Sequence, residues 1–241
     1  MNLIIDVGNT FVKFAVFEHN TLIHKESFTL EEFKKRFKSI KKKFPRLLSC
    51  IVSSVGRLKK DEVNAIVKDL NLLVLNSDTK VPFKNTYKTP KTLGVDRLAL
   101  VSASILNYSN NNVLIIDAGT CITYDFITHE NKYIGGAISP GIRLRYKSLN
   151  NLTANLPLLE TETPKIITGN TTETSIHSGV VFGVIKEIDG VIDTYTEKYS
   201  DLTVILTGGD AKLLSEQLKN SIFANSDFLL EGLNYILEFN S

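Results

Sequence analysis

The apolar positions of this chain fall into short runs that change period several times. "LII" at residues 3–5 stops on an acid, and "FVKFAVFE" and "TLIHKESF" then alternate apolar and polar residues as half-buried strands do. Phe33, Phe37, Ile40 and Phe44 recur at helical spacing, which predicts a helix over residues 30–43. A strand in "LLSCIVSSV", a helix over 58–70 and a strand in "NLLVLNS" follow. At Leu114 the opening run returns: "LIIDVGNT" is echoed by "LIIDAGT". Two strand-like runs follow it again, "CITYDFI" and "KYIGGAIS", then helical segments around 141–150 and 174–199, the strand "LTVILTGG" and a helix over 211–220. The order β-β-β-α-β-α-β is thus written twice, with insertions.

That order predicts an α/β protein of two duplicated units, each a mixed sheet covered by helices, with a cleft between them. The expected division is 1–111 and 112–226. The closing run "SDFLLEGLNYILEFNS" reads as a helix burying Phe228, Leu229, Leu233, Ile236 and Leu237, and residues 227–241 are expected to pack back on the first unit.

Composition changes this picture little. With 43% hydrophobic and 22% charged residues the chain reads as an ordinary globular protein, and a net charge of +2 gives no reason to expect nucleic acid or a membrane as partner. The N-terminus carries no signal-peptide pattern and no apolar run approaches the ~20 residues of a membrane span, so a cytoplasmic protein is expected. Cys50 and Cys121 are too far apart in sequence to suggest a disulfide framework and read as small buried residues. The four histidines show no ligand spacing. The lysine-rich stretch 34–44 reads as a solvated helix face over an apolar seam.

The candidate chemistry lies in the repeated turn. An aspartate at the end of a buried strand needs a cation, a donor or water. Gly8 and Gly119 permit the turns, and Thr10, Thr120 and backbone N–H groups suit phosphate oxygens. Asp6 and Asp117 would repel phosphate, so a cation is expected between. Lys13 either reaches a phosphate or points to solvent. Gly208 and Gly209 in "VILTGGDA" make room for a nucleotide group, or the segment is a connector with Asp210 as helix cap. Neither the P-loop nor the dinucleotide glycine pattern occurs. In "YKTPKTLGVDRLA", Asp96 reads as an acid at a helix start with Arg97 as its surface partner.

These residues carry a resemblance. Duplicated units with paired Asp-Gly-Thr turns resemble the acetate and sugar kinase, Hsp70 and actin superfamily, whose domains are ribonuclease H-like. The ordered set "DVGNT", "GVDR", "DAGT" and "GGAISPG", with "TANLP", "TGNTTETSIHSG" and "LEGLN" after it, is similar to type III pantothenate kinases over nearly the whole chain. The resemblance implies ATP-dependent phosphorylation of pantothenate to 4′-phosphopantothenate, the first step toward coenzyme A. It makes Asp96 the proton acceptor, and assigns ATP to Asp6, Val7, Gly8, Asn9, Thr10, Phe11, Val12, Lys13 and Thr120. It assigns pantothenate to Tyr87, Gly94, Val95, Asp96, Arg97 and Thr172, a potassium or ammonium ion to Asp117, and magnesium to Asp6. It also implies a homodimer whose substrate pocket lies at the subunit boundary. Another small-molecule kinase of the superfamily, or a non-catalytic nucleotide-binding regulator, stays open at this point.

Overall fold

A computed structural model describes residues 1–8, 11–53 and 58–241, so Asn9 and Thr10 of the first turn lie outside the described residues. The chain divides into two compact units, Met1–Ser109 with Asp227–Ser241, and Asn110–Ser226.

The first unit begins with β1 (Asn2–Val7), β2 (Val12–Glu18) and β3 (Thr21–Phe28). Then come a 3-10 turn (Leu30–Glu32), α1 (Phe33–Lys43), β4 (Ser49–Val52), α2 (Lys60–Asp69), β5 (Asn71–Val74), the two-residue β6 (Lys84–Asn85) and α3 (Val95–Tyr108). Strand order is β3-β2-β1-β4-β5, antiparallel on the β2–β3 side and parallel toward β5. The apolar run of β1 is buried on both faces. Leu3 and Ile5 meet Phe33, Phe37 and Ile40 of α1, while Ile4 meets Ala99 of α3 and Leu233 and Ile236 of the last helix, α8 (Phe228–Phe239). A central strand with helices on both sides has no polar face, which is why "LII" reads as a continuous run and not an alternation.

The second unit carries β7 (Asn112–Ala118), β8 (Cys121–Ile127), β9 (Lys132–Pro140), α4 (Ile142–Asn151), α5 (Thr172–His177), a π turn (Ser178–Phe182) and α6 (Gly183–Lys198). These lead to β10 (Leu202–Thr207), α7 (Ala211–Ser215) and β11 (Phe223–Ala224). Its own strands run in the order β11-β10-β7-β8-β9, parallel from β11 to β7 and antiparallel beyond. Leu114, Ile116, Tyr124 and Leu206 face a helical layer that supplies Ile142, Val184, Ile188 and Leu214.

Three expectations need correction. The helix expected over 211–220 stops at Ser215, because the buried Asp189 of α6 accepts the backbone N–H of Lys219 and Asn220 and the side-chain amide of Asn220. That fixes the chain as it enters β11, a strand too short to leave a sequence signal. Cys121 is exposed, since it opens β8 at the mouth of the turn; only Cys50 is buried, and burial pushes its thiol up. The strand expected through residue 55 ends at Val52, with 54–57 outside the described residues.

Candidate active site

In the first unit, β1 and β2 form the hairpin that carries the first repeated turn. The pairing places Asp6 opposite Lys13 and Val7 opposite Val12, and Gly8 N–H donates to Phe11 O at 3.0 Å. Val7 and Val12 are buried in the core, so only their backbone can meet a ligand, while Phe11 is exposed. Period-two alternation puts Asp6 and Lys13 on one face. Lys13 Nζ lies 4.0 Å from the Asp6 carboxylate. A group that sequence reading missed completes this cluster: Ser53 Oγ donates to Asp6 Oδ1 at 2.8 Å. It depends on strand register: β4 runs parallel to β1 with Ile5 level with Val52, so the next residues, Asp6 and Ser53, stand side by side.

The acceptor motif forms the start of α3. Gly94 is its N-cap residue, and its carbonyl accepts Arg97 N–H at 3.1 Å. Asp96 is exposed in the first turn, where its Oδ1 also accepts Arg97 N–H at 2.9 Å. Arg97 is not a surface partner, as the sequence suggested; it is 5% exposed, with its guanidinium carbon 5.6 Å from the centre of the Tyr87 ring. Helical spacing turns Arg97 inward while Asp96 faces out, and the aromatic face offsets part of the cost of burying the cation. Val95 is half-buried and packs on the α8 side of the core. Tyr87, Arg97 and the first turn of α3 are therefore one cluster.

In the second unit three chain turns converge on the end of β7. Gly119 N–H donates to Cys121 O and Gly141 N–H to Thr120 O, both at 3.0 Å, and Asp210 N–H donates to Ala118 O at 2.9 Å. Gly208, at φ +95°, could not be another residue: a Cβ there would lie 2.4 Å from Asp117 Oδ1 and from Ala118 O. Thr120 is exposed at the tip, and the cross-strand neighbour of Asp117 is Thr123. Asp210 precedes α7 without capping it through its side chain. Its carboxylate instead accepts from Arg143 Nη1 at 2.9 Å, a pair with no sequence signal.

Thr172 lies elsewhere in this unit, at the rim of a cavity of about 1060 Å³ lined by residues including Arg145, Leu149, Thr171, Ile176 and Val180. The cap of α5 is Thr171, whose hydroxyl accepts Thr174 N–H at 3.2 Å. Thr172 is the first helical residue and is exposed. Among the described residues no three His, Cys, Asp or Glu side chains gather to hold a metal. A carboxylate with a hydroxyl residue across the strand, as at Asp117, suits a hard ion bound by oxygen and not a closed transition-metal site. No helix among the described residues is long and apolar enough to cross a membrane.

The model of one family, described as type III pantothenate kinase, matches residues 2–194. The chain belongs to the type III pantothenate kinases. A type III pantothenate kinase of Christiangramia forsetii is 55% identical over 241 residues, 100% of this chain and 99% of that one. Two solved structures share the fold. A Campylobacter jejuni protein described as a Baf family transcriptional activator has a TM-score of 0.64 at 20% identity, over 99% of this chain and 98% of its own. A glucokinase from an Antarctic psychrotroph has a TM-score of 0.52 at 11% identity, over the same shares. The fold is that of two ribonuclease H-like domains, as the family resemblance implied. As a type III pantothenate kinase the chain is a phosphotransferase with an alcohol acceptor; ATP and pantothenate are its substrates and its product feeds coenzyme A biosynthesis.

Proposed function

We propose that Asp96 takes the proton from the pantothenate hydroxyl while Arg97 and Tyr87 hold the rest of the acceptor. The observation that carries this reading is the division of labour on the first turn of α3, where the carboxylate is exposed and the neighbouring guanidinium is buried against an aromatic ring. Phosphoryl transfer passes through a loose transition state, so the protein mainly positions groups and spreads charge. Asp96 orients the hydroxyl and accepts its proton late. The planar fork of Arg97 matches a carboxylate such as that of pantothenate, and its burial fixes the direction it presents. Gly94 and Val95 contribute backbone at the same helix start.

The 6–13 hairpin holds the ATP phosphates through its backbone and Lys13, whose place beside Asp6 makes it a point charge that a phosphate can share. Thr120 supplies a hydroxyl from the second hairpin. Magnesium bound with ATP would neutralise the phosphates, and Asp6 would hold its water shell. A potassium or ammonium ion would be held at Asp117, whose cross-strand neighbour Thr123 brings a hydroxyl and no charge. The cavity beside Thr172 takes part of the acceptor, and the protein works as a homodimer with that pocket at the boundary between copies. Exposed Ile138, Leu144, Leu152, Ile166 and Ile167 of the second unit support such an association.

The test is Asp96→Asn assayed by ADP release with saturating ATP, pantothenate and potassium. Removing a general base lowers turnover about 10²–10⁴-fold, with the melting temperature and ATP binding unchanged. Near-normal turnover in the folded variant would refute the role.

A further inference from the structure

Arg145, in the second turn of α4, is tied to more elements than any role in the reading above requires. Its Nε donates to Pro140 O at 2.9 Å and its Nη2 to Ser139 Oγ at 3.0 Å, both at the end of β9. Nη2 also pairs with Glu187 of α6, whose other carboxylate oxygen accepts the Tyr124 hydroxyl of β8 at 2.8 Å. The side chains of Arg145 and Glu187 are 22% and 28% exposed, so the pair is shielded beyond the level of a solvent-facing ion pair. The residue after Pro140 is Gly141. Its N–H donates to Thr120 O, and it lies so close to the hairpin that a Cβ would be 2.1 Å from Gly119 O. The guanidinium therefore holds turn 139–141 from behind, and that turn in front holds the backbone of Gly119 and Thr120.

We propose that Arg145, anchored by Glu187, is a positioning residue for the nucleotide and cation side of the reaction, acting through turn 139–141 on the 117–120 hairpin. This rests on the assignment of Thr120 to ATP and Asp117 to a monovalent cation. Arginine suits the task because one planar fork bonds a carbonyl, a hydroxyl and a carboxylate together, which an ammonium on a flexible stem cannot do in fixed geometry. Partners standing one shell behind a bound group typically weigh about 10–100-fold in its affinity.

The experiment compares Arg145→Met, Arg145→Lys and Glu187→Gln with the parent. It reads KM for ATP, KM for pantothenate, the potassium concentration giving half-maximal activation, and ATP affinity by calorimetry. In Arg145→Met, the KM for ATP and the potassium requirement rise about tenfold or more, calorimetric ATP affinity falls in parallel, and KM for pantothenate rises by a smaller factor than either. Arg145→Lys lies between that variant and the parent. Glu187→Gln, which keeps the shape and removes the charge, shifts the same constants in the same direction and carries the test if the methionine variant does not fold. A purely structural role would lower the melting temperature and the active fraction while leaving every constant in place, and that result overturns the proposal. So does a rise confined to KM for pantothenate, which would make Arg145 an acceptor contact in the cavity it borders. Thr120→Ala and Asp117→Asn separate the two levels. If these change ATP and potassium dependence while the Arg145 variants do not, the positioning role alone fails; if they too change nothing, the hairpin assignment beneath it fails.

Discussion

Gly141 offers the most direct test of whether the hairpin at Asp117 is held from outside. An alanine there places a methyl carbon 2.1 Å from Gly119 O and 2.6 Å from Thr120 O. Both are backbone atoms of a paired hairpin, so no rotamer change relieves the clash. Ordinary contact begins at 3.4 Å, and the start of α4 must therefore retreat by about 1.3 Å. The retreat breaks the Gly141 N–H bond to Thr120 O and overpacks the site, which costs about 1–3 kcal/mol. For a chain of this size the melting temperature should fall by about 2–12 °C. Kinetics are the sharper readout, since a displacement of about 1 Å in a positioned group can cost on the order of 100-fold in rate. Initial rates at varied ATP, potassium and pantothenate, with circular dichroism to confirm folding, should show the loss in the ATP and potassium constants and spare KM for pantothenate. Gly190→Ala in α6 is the matched control, because a Cβ there meets nothing within 4 Å. It should stabilise by about 0.4–1 kcal/mol and leave the kinetics alone. A folded Gly141→Ala with parental kcat and KM for ATP would refute the reasoning.

Two further outcomes follow from the hydrogen bonds around each hairpin. Ser53→Ala removes the donor to the Asp6 carboxylate, a charged bond worth about 1.5–3 kcal/mol, and should raise KM for ATP about tenfold; an unchanged KM in the folded variant would remove Ser53 from the site. Burial raises the pKa of Glu187, but the Arg145 guanidinium and the hydroxyls of Tyr124 and Ser139 outweigh it, so its carboxyl is held below the usual value of 4.5. A depressed folded-state pKa means that its stabilisation is complete above the ordinary carboxylate range and is lost as pH falls through the depressed value. Thermal melts should show Glu187→Gln losing less stability than the parent on acidification from about pH 6 to about pH 3; equal losses would contradict the pairing.

What could be read from the sequence was whatever depends on neighbours along the chain. The repeated "LIID" run, the alternation of "FVKFAVFE" and the helical spacing of Phe33, Phe37 and Ile40 are local patterns, and each appears as the element it suggested. The hairpins were equally legible, because a glycine after an apolar strand marks a turn, and β1 with β2 and β7 with β8 pair as that suggests. What escaped depends on the register between strands or on packing between layers. Ser53 reaches Asp6 only because β4 lies parallel to β1. Arg97 is enclosed and lies against the ring of Tyr87, a neighbour supplied by the preceding loop and not by the helical pattern, so a basic residue at an apparent surface position is buried. Asp210 read as a helix cap in one of its two readings, yet its carboxylate bonds Arg143, 67 residues earlier, and not the backbone of α7. Helix 211–220 kept its local propensity to the end and was overruled by Asp189.

The two hairpins show how duplication leaves room for different chemistry. Both set an aspartate at the end of a central strand and close through a glycine N–H, to Phe11 O in one and Cys121 O in the other. They differ at two points. The first carries one more residue between its last paired positions, Val7 with Val12 against Ala118 with Ile122. A longer loop brings more backbone N–H groups to a ligand, which favours phosphate oxygens. Across the strand, Asp6 meets the cation Lys13 and Asp117 meets the neutral Thr123. A lysine on the same face brings the carboxylate cluster to neutrality, so an approaching anion meets less repulsion than a bare carboxylate would give. A carboxylate with a neutral hydroxyl in place of that lysine favours a bound cation over a bound phosphate. The proposed division of ATP phosphates and a monovalent ion between the hairpins rests on one inserted residue and one cross-strand difference on a shared scaffold.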